Sequence, residues 1–306
     1  MVRPDRTLAL LAGLSVALIG AIIWSTHHLL LAGAPAYAAG GALPSVGCLL
    51  LPQADDLAPH LASYAFMLAT AAGAAAGARV LLRQSRSTRA LLSACLAVRS
   101  QRSRVLDPLE TRLQLHGRLD LVDLTEPIAF CYGYIRPRVL VSTGLIDLLP
   151  PRELEAVLLH EREHLRRLDP LKVAVGRLLA SMGFFVPVLS ALYRRFLVEK
   201  ELAADRAAIA AHGDEASLSA ALIRLVERRA TLRPPLGAGA GEALEARIDA
   251  LLGDPVRRGL QLGAGGFAAS LVVASLAALP LLATPLPSDV VASSHNVVAG
   301  CHLTTH

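Results

Sequence analysis

The residues best suited to chemistry stand close together between positions 160 and 164. His160 and His164 enclose Glu161 in the pattern H-E-x-x-H, inside a helix predicted from about Pro151 to Leu168. Because residues four apart lie on one helical face, both imidazoles can bind the same metal ion. Glu161 is then placed to take a proton from a metal-activated water as that water attacks a carbonyl carbon. The motif therefore predicts hydrolysis at a metal, with Zn²⁺ as the expected cofactor.

Two histidines leave a catalytic zinc one protein ligand short, so a third is expected from another helix. Glu201 is the best candidate, because it stands in a helix predicted from about residue 198 to 211. Asp205 follows one turn later, where it can accept a hydrogen bond from a ligating imidazole. Glu199 points to a different helical face and is expected to be solvated. For Asp169, a role beside the ligands and a solvated position at the helix end both stay open.

Secondary-structure signals around the motif predict a small α+β region. Short strands are expected at Leu119–Leu124 and Ile135–Ser142, where β-branched and aromatic residues stand between glycines and prolines. Further helices are predicted at 217–230 and 242–252, and the Pro-, Gly- and Ala-rich stretch 232–241 between them reads as a linker. An amphipathic helix is also expected at 91–105.

The composition is that of a membrane protein. Hydrophobic residues make up 54% of the 306 residues, and the mean hydropathy is +0.49, whereas soluble domains are about 45–50% apolar. The net charge of +5 suits an anionic membrane surface better than a nucleic-acid groove, so no direct nucleic-acid partner is expected. The 4 cysteines form no CxxC pair, which excludes a cysteine-rich zinc module and indicates a reducing compartment.

Three apolar runs are long enough to cross a bilayer, namely 8–31, 57–82 and 260–283. A cleaved signal peptide is the rival interpretation of the first run, but its apolar core is longer than such peptides have. Arginines flank the region between the second and third runs, so the positive-inside rule places that region in the cytoplasm. We therefore predict a multi-pass protein of the cell membrane whose active site faces the cytoplasm.

The sequence predicts a mainly α membrane protein organised in three parts. Residues 1–83 form a two-helix anchor, 84–256 a cytoplasmic peptidase domain, and 257–306 a third membrane helix with a short outer tail. The apolar stretch 173–193 is the difficult segment, because a single crossing there would put the two halves of the site on opposite sides of the membrane. We interpret it as two short helices broken near Pro187. Whether they dip into the bilayer or form a buried core pair stays open.

Several of these residues together resemble a known family. The run from Phe130 to Leu145, the H-E-x-x-H motif and the run from Glu201 to Asp205 resemble the membrane metallopeptidases that contain the BlaR/MecR-type β-lactam sensor-transducers. The similarity covers about residues 119–252 and the pattern of membrane helices. It implies a gluzincin-like domain with His160, His164 and Glu201 as zinc ligands and Glu161 as catalytic base.

The resemblance also carries expectations about substrate. It implies that an extended peptide pairs with the strand around Arg138–Ser142, acting as a sheet edge; the expected substrate-binding residues are Arg138, Val139, Val141 and Ser142. About 20 residues follow Pro285, too few for a penicillin-binding domain. We therefore expect a short family member that cleaves a cytoplasmic protein, such as a winged-helix repressor of the penicillinase-repressor type.

Two alternative functions remain. An HtpX-like membrane quality-control protease shares the E-x-x-A-D pattern, but usually has a complete membrane hairpin between H-E-x-x-H and the glutamate, for which 173–193 is short. A non-catalytic zinc-binding signalling protein is the other alternative. The intact Glu161 argues against it, because a structural zinc site needs no general base.

Overall fold

A computed structural model describes residues 4–32, 57–97, 106–232, 246–251 and 263–282. These residues are mostly helical and include one small sheet, as the sequence predicted. The nine named helices are α1 Pro4–Ala32, α2 Leu57–Ala97, α3 Leu106–Arg112, α4 Thr143–Leu148, α5 Pro151–Arg167, α6 Asp169–Met182, α7 Pro187–His212, α8 Glu215–Leu232 and α9 Ala264–Leu282. A further helical stretch covers 246–251. The strands are β1 Leu119–Val122, β2 Ala129–Tyr132 and β3 Arg138–Ser142.

The three strands form a sheet in the order β1-β3-β2, with β3 in the centre. β3 runs parallel to β1 and antiparallel to β2, so that Val139 lies opposite both Leu119 and Cys131. β2 was not predicted as a separate strand, and β3 begins three residues later than expected. The reason is a turn between β2 and β3, in which Gly133 has a φ of +87° that favours glycine.

The central position of β3 overturns the expected substrate-pairing edge. Val139 and Val141 are fully buried, and their strand is paired on both sides. Arg138 binds the Asp120 carboxylate of β1 through Nε and Nη2. Ser142 caps α4 by accepting the Leu145 N–H at 3.1 Å. The prediction that these four β3 residues line a free edge is therefore wrong, because pairing, packing and capping within the fold already engage them.

Helix α5 carries the H-E-x-x-H motif and is held against this sheet. It begins with Pro151, whose missing N–H costs nothing at a first helical position. It ends at Arg167 and is capped by Leu168, which has a left-handed φ of +56° and donates its N–H to carbonyls of the last turn. The apolar face of α5 packs into a core shared with β3 and α8, which includes Leu154, Leu158, Val139, Val141, Leu218 and Ala221.

The stretch 173–193 is broken as expected, with different helix lengths. Helix α6 ends at Met182 and α7 begins at Pro187, so residues 183–186 form the break. Helix α7 then continues for 26 residues, instead of starting again near Val198 as predicted. A proline in the first turn of a helix removes no helical hydrogen bond. A new helix can therefore begin at Pro187 and continue to His212. Contact of this stretch with a bilayer stays a prediction.

Two helices are long and apolar enough to cross a membrane by length and composition, at Pro4–Trp24 in α1 and Tyr64–Arg86 in α2. Helix α2 continues to Ala97, so the start of the amphipathic helix predicted at 91–105 belongs to it. The third predicted run contains α9, whose apolar part Ala264–Val273 is shorter. Residues 33–56 between the first two predicted runs, residues 233–241 of the predicted linker 232–241, and the predicted tail after residue 283 lie outside the described residues.

The chain divides into two compact units. The first contains the sheet, α3 to α5, α8, the stretch 246–251, most of α6 and α7, and α1 up to Ala12. The second contains the rest of α1, α2 up to Ala75, residues 181–189 and α9. Within the second unit α2 approaches the end of α6 so closely that a Cβ at Gly73 would lie 2.1 Å from the Ser181 carbonyl oxygen. The domain boundaries near 83 and 256 stay predictions.

Candidate metal centre

Three side chains from two helices converge in the first unit. Nε2 of His160 lies 3.0 Å from Nε2 of His164, both on α5. Oε2 of Glu201 on α7 lies 3.3 Å from the first nitrogen and 3.6 Å from the second. Both histidines are buried, with exposed fractions of 5% and 7%, and the glutamate is mostly buried. The structure thus brings together the three residues that the sequence suggested as metal ligands.

The size and chemistry of this triangle fit a zinc ion. Two imidazole nitrogens and one carboxylate oxygen are a known donor set for catalytic zinc. Ligand atoms at the usual distances of about 2.0–2.1 Å in a tetrahedron stand about 3.3–3.4 Å apart. The three observed separations, 3.0, 3.3 and 3.6 Å, lie around that value. Three protein ligands leave a fourth position for water or substrate.

A buried carboxylate supports each imidazole from behind. Nδ1 of His164 is hydrogen-bonded to Oδ2 of Asp169 at 2.6 Å. Nδ1 of His160 lies 2.8 Å from Oδ1 of Asp205, in contact but without the alignment of a full hydrogen bond. Both aspartates are buried, so the solvated alternative for Asp169 is excluded. Because each Nδ1 faces a carboxylate, each Nε2 is directed into the triangle.

The electrostatics of the triangle favour a bound cation. Burial disfavours a charged His164, but the Glu201 carboxylate and the hydrogen bond to Asp169 outweigh it and raise the pKa of His164 to about 9. Burial would raise the pKa of Glu201, yet the neighbouring His164 and Lys200 hold it well below its usual range. Since metal ligands must be deprotonated, a divalent cation would take the place of the His164 proton.

Comparison with known proteins agrees with this geometry. Residues 64–251 match the family model described as BlaR1 peptidase M56. The chain belongs to this peptidase family. This match confirms the resemblance inferred from the sequence. The family of the M56 peptidase and its two long apolar helices together indicate a membrane protein.

A more distant similarity is local. The M56 peptidase is 35% identical over 89 residues to "Protease HtpX homolog 2" of Methanosarcina mazei, an alignment that covers 24% of this chain and 30% of that protein. The chain therefore matches less than a third of the length of this curated relative. Both comparisons point to peptidases, and neither names a substrate of this chain.

Two cations beside the triangle of the M56 peptidase were not anticipated. Lys200 forms an ion pair with Oε1 of Glu201, on the side away from the imidazoles. Arg247, in the stretch 246–251, binds both oxygens of Asp205 at 2.8 and 2.9 Å. Lys200 could have been suspected, because it precedes Glu201 in the chain. No local pattern signals Arg247, which is 42 residues beyond Asp205.

Glu199 does not behave as the sequence suggested. It is 5% exposed instead of solvated. Its Oε2 accepts a 2.5 Å hydrogen bond from Thr7 and its Oε1 a 2.8 Å bond from Arg195. These contacts engage both carboxylate oxygens away from the histidines, so Glu199 is a structural partner of α1 and not a member of the triangle.

Glu161 is half-buried on helix α5, directly after His160 in the chain. Helix α5 packs against β2, and burial together with the charges of Glu161 and Asp169 raises the pKa of the Cys131 thiol in β2 to about 12. The candidate general base thus stands beside the sheet, next to His160. Among the described strands β2 is an outer one, since its only pairing partner there is β3.

Proposed function

We propose that this M56 peptidase is a membrane-bound zinc endopeptidase. The observation that carries the proposal is the triangle of His160, His164 and Glu201, which has the donor atoms and the spacing of a catalytic zinc site. When bound, zinc supplies Lewis acidity, which polarises a peptide carbonyl and lowers the pKa of water to near neutrality. The remaining steps belong to residues of the chain.

Glu161 is assigned the role of general base. Its carboxylate takes a proton from the attacking water and delivers it to the nitrogen of the departing amine. Asp169 and Asp205 hold the two imidazoles through Nδ1, which keeps each Nε2 available as a ligand atom. The intact glutamate between the histidines favours this role over a purely structural zinc site.

The substrate is proposed to be a protein segment in extended form. β2 lies beside α5 and is an outer strand of the described sheet. An extended peptide added to this strand would run past Glu161 and the histidines. This proposal replaces the predicted pairing of a substrate with β3, because β3 is already paired with a strand on each side.

The physiological role is proposed from the family. Regulatory cleavage of a cytoplasmic protein, such as a winged-helix repressor of the penicillinase-repressor type, is the leading hypothesis. It includes a multi-pass arrangement with the active site on the cytoplasmic side, which is supported by the arginines around the middle region. The local similarity to an HtpX homologue favours a second candidate, quality control of membrane proteins.

Replacement of Glu161 by Gln tests the enzymatic proposal. The full-length variant purified in detergent should bind close to one zinc per chain, as the wild type should, while proteolysis falls by about 10²-fold to 10⁴-fold. Glu163→Gln is the matched control, because that carboxylate binds Arg167 at 2.5 Å on the same helix. Metal content is measured by elemental analysis. Cleavage is measured by comparing the proteomes of cells carrying each form.

The outcomes separate the parts of the proposal. A wild-type protein without bound zinc would refute the metal site. Unchanged cleavage by the Glu161→Gln variant would refute the general base and leave the metal site standing. A repressor fragment that disappears with this variant would support the regulatory role, whereas loss of membrane-protein fragments alone would support quality control.

A further inference from the structure

The side chain of Arg247 reaches the metal-centre region from outside the helices that carry the motifs. It lies in the stretch 246–251, and only 17% of the side chain is exposed. Its Nε is 2.8 Å from Oδ2 of Asp205 and its Nη2 is 2.9 Å from Oδ1. This two-bond fork fixes both the position and the plane of the carboxylate. Arg247 therefore determines how Asp205 is presented to its other neighbours.

Arg247 approaches two members of the triangle, His160 through Asp205 and Glu201 directly. Oδ1 of Asp205, which accepts from Arg247, is also the oxygen 2.8 Å from Nδ1 of His160. The remaining guanidinium nitrogen, Nη1, lies 3.8 Å from Oε2 of Glu201, the oxygen that faces the imidazoles. One cation thus contacts the carboxylate that supports His160 and also approaches Glu201, a candidate ligand itself.

The charges around the triangle show why a second cation is needed there. Glu201, Asp205 and Asp169 contact the imidazoles and Glu161 directly follows His160, so four negative charges surround the triangle. A divalent ion supplies two positive charges, and Lys200 with Arg247 supplies two more, so the cluster is neutral when both histidines are neutral. Without Arg247, Asp205 would be a buried carboxylate with little compensating positive charge, which favours its displacement from His160.

We propose that Arg247 is a positioning residue for zinc binding, acting through Asp205 on His160 and directly on the Glu201 carboxylate. The inference rests on the proposed function, in which the triangle holds zinc. It makes the stretch 246–251, beyond the two motif-bearing helices, a component of the metal centre. Arg247→Lys cannot fully reproduce this positioning, because an ammonium group lacks the planar pair of N–H donors that binds both oxygens of a carboxylate.

Zinc affinity of the full-length protein in detergent tests the proposal. We expect Arg247→Gln to weaken binding by about tenfold or more in competition with a chromogenic chelator, which is the usual effect of removing an outer partner of a ligand. Arg247→Lys keeps the charge and should recover only part of the affinity. The control is Arg224→Gln, which breaks the 3.1 Å pair of Arg224 on α8 with Glu153 on α5. That change should leave zinc affinity within about twofold, because Arg224 does not contact the triangle.

A double-mutant cycle with Asp205→Asn separates positioning from general destabilisation. If Arg247 acts through Asp205, adding Arg247→Gln to Asp205→Asn should weaken zinc binding much less than Arg247→Gln does alone. Additive losses would overturn the route through Asp205. The visible spectrum of the Co²⁺-substituted protein gives a second readout, which should change for both single variants and stay unchanged for Arg224→Gln.

The results also distinguish this inference from the function on which it rests. Failure of the wild type to bind zinc would refute the proposed function. A wild type that binds zinc and an Arg247→Gln variant that binds it equally tightly would overturn the inference alone. If Arg247→Gln does not fold, Arg247→Lys decides the question, since wild-type affinity in that variant would show that the fork is unnecessary.

Discussion

Thr7 on α1 donates a 2.5 Å hydrogen bond to Glu199 on α7, although 192 residues separate them. Glu199 is buried and also accepts from Arg195. The first turns of the N-terminal helix are thereby joined to the helix that supplies Glu201, only two residues further along. A second contact of α1 within the first unit is the 2.6 Å ion pair of Asp5 with Lys172 on α6. The apolar N-terminal helix is thus directly connected to the scaffold of the candidate metal centre.

The two glutamates of α7 should respond differently to the same substitution. Glu201→Gln should weaken zinc binding by more than about 100-fold, the upper end of the effect of outer partners, because a ligand charge is lost. Glu199→Gln should leave zinc affinity nearly unchanged. It should lower the free energy of unfolding by about 1.5–3 kcal/mol, because Thr7 and Arg195 lose a charged acceptor. Chelator competition and thermal unfolding in detergent measure the two effects. Equal zinc loss in both variants would contradict the assignment.

Asp169 should matter for the metal more than its position at a helix end suggests. Its Oδ2 lies 2.6 Å from Nδ1 of His164, so Asp169→Asn should reduce zinc affinity by about 10-fold to 100-fold. Asp214→Asn serves as the control, because Asp214 accepts from Ser217 and the Ala216 N–H at the start of α8. The control variant is expected to lose helix stability and to keep its zinc. The prediction fails if the two variants bind zinc alike.

The rate at which the Cys131 thiol reacts should depend on the charge of Glu161. A pKa of about 12 instead of 9.0 lowers the reactive thiolate fraction at pH 8 by about a thousandfold. In a protein whose other cysteines are serines, alkylation by iodoacetamide should therefore be slow in the folded state and quicken as the pH rises. Glu161→Gln should speed it by removing a charge that raises the thiol pKa, whereas Glu163→Gln should not. Alkylation as fast as that of a free thiol would disprove the prediction.

The sheet should depend on a carboxylate that the site does not use. Asp120 is buried and accepts from Tyr132 Oη at 2.5 Å and from Arg138 Nη2 at 2.7 Å. Asp120→Asn should lower the free energy of unfolding by about 2–3 kcal/mol, because hydrogen bonds to a charged group are lost. Asp123→Asn is the matched control, since its contact with Thr143 is exposed. Thermal unfolding of both variants in detergent checks the difference, and an equal loss in the control would contradict the assigned role of Asp120.

Local spacing was enough to predict much of the site. Residues four apart on a helix share a face, so the pairing of His160 with His164, and the placement of Asp205 one turn after Glu201, follow from the sequence alone. Helix α5 was predicted within one residue of its observed bounds for a similar reason, because its starting proline and first-turn glutamate are local signals.

Contacts between distant segments were decided by the tertiary structure. Burial of Glu199 depends on α1, and compensation of Asp205 depends on Arg247, which no periodicity relates to it. The central place of β3 was not predicted, because the consecutive apolar residues Val139, Leu140 and Val141 indicate a strand covered on both faces and say nothing about pairing at its two edges. The strands that pair with β3 could not be predicted either, because hydrogen bonds between backbones leave no pattern in the side chains.

The amino-acid sequence by itself determined the chemistry that this protein can bring to a metal and the family to which it belongs, since both depend on residue types at short, regular intervals. Only the tertiary structure decided that Glu201 closes the triangle, 41 residues after His160, and that the Arg247 guanidinium binds Asp205 beside it. The physical reason is that hydrogen bonds and ion pairs between distant segments form only after packing has brought their partners within reach, and packing is a property of the whole fold.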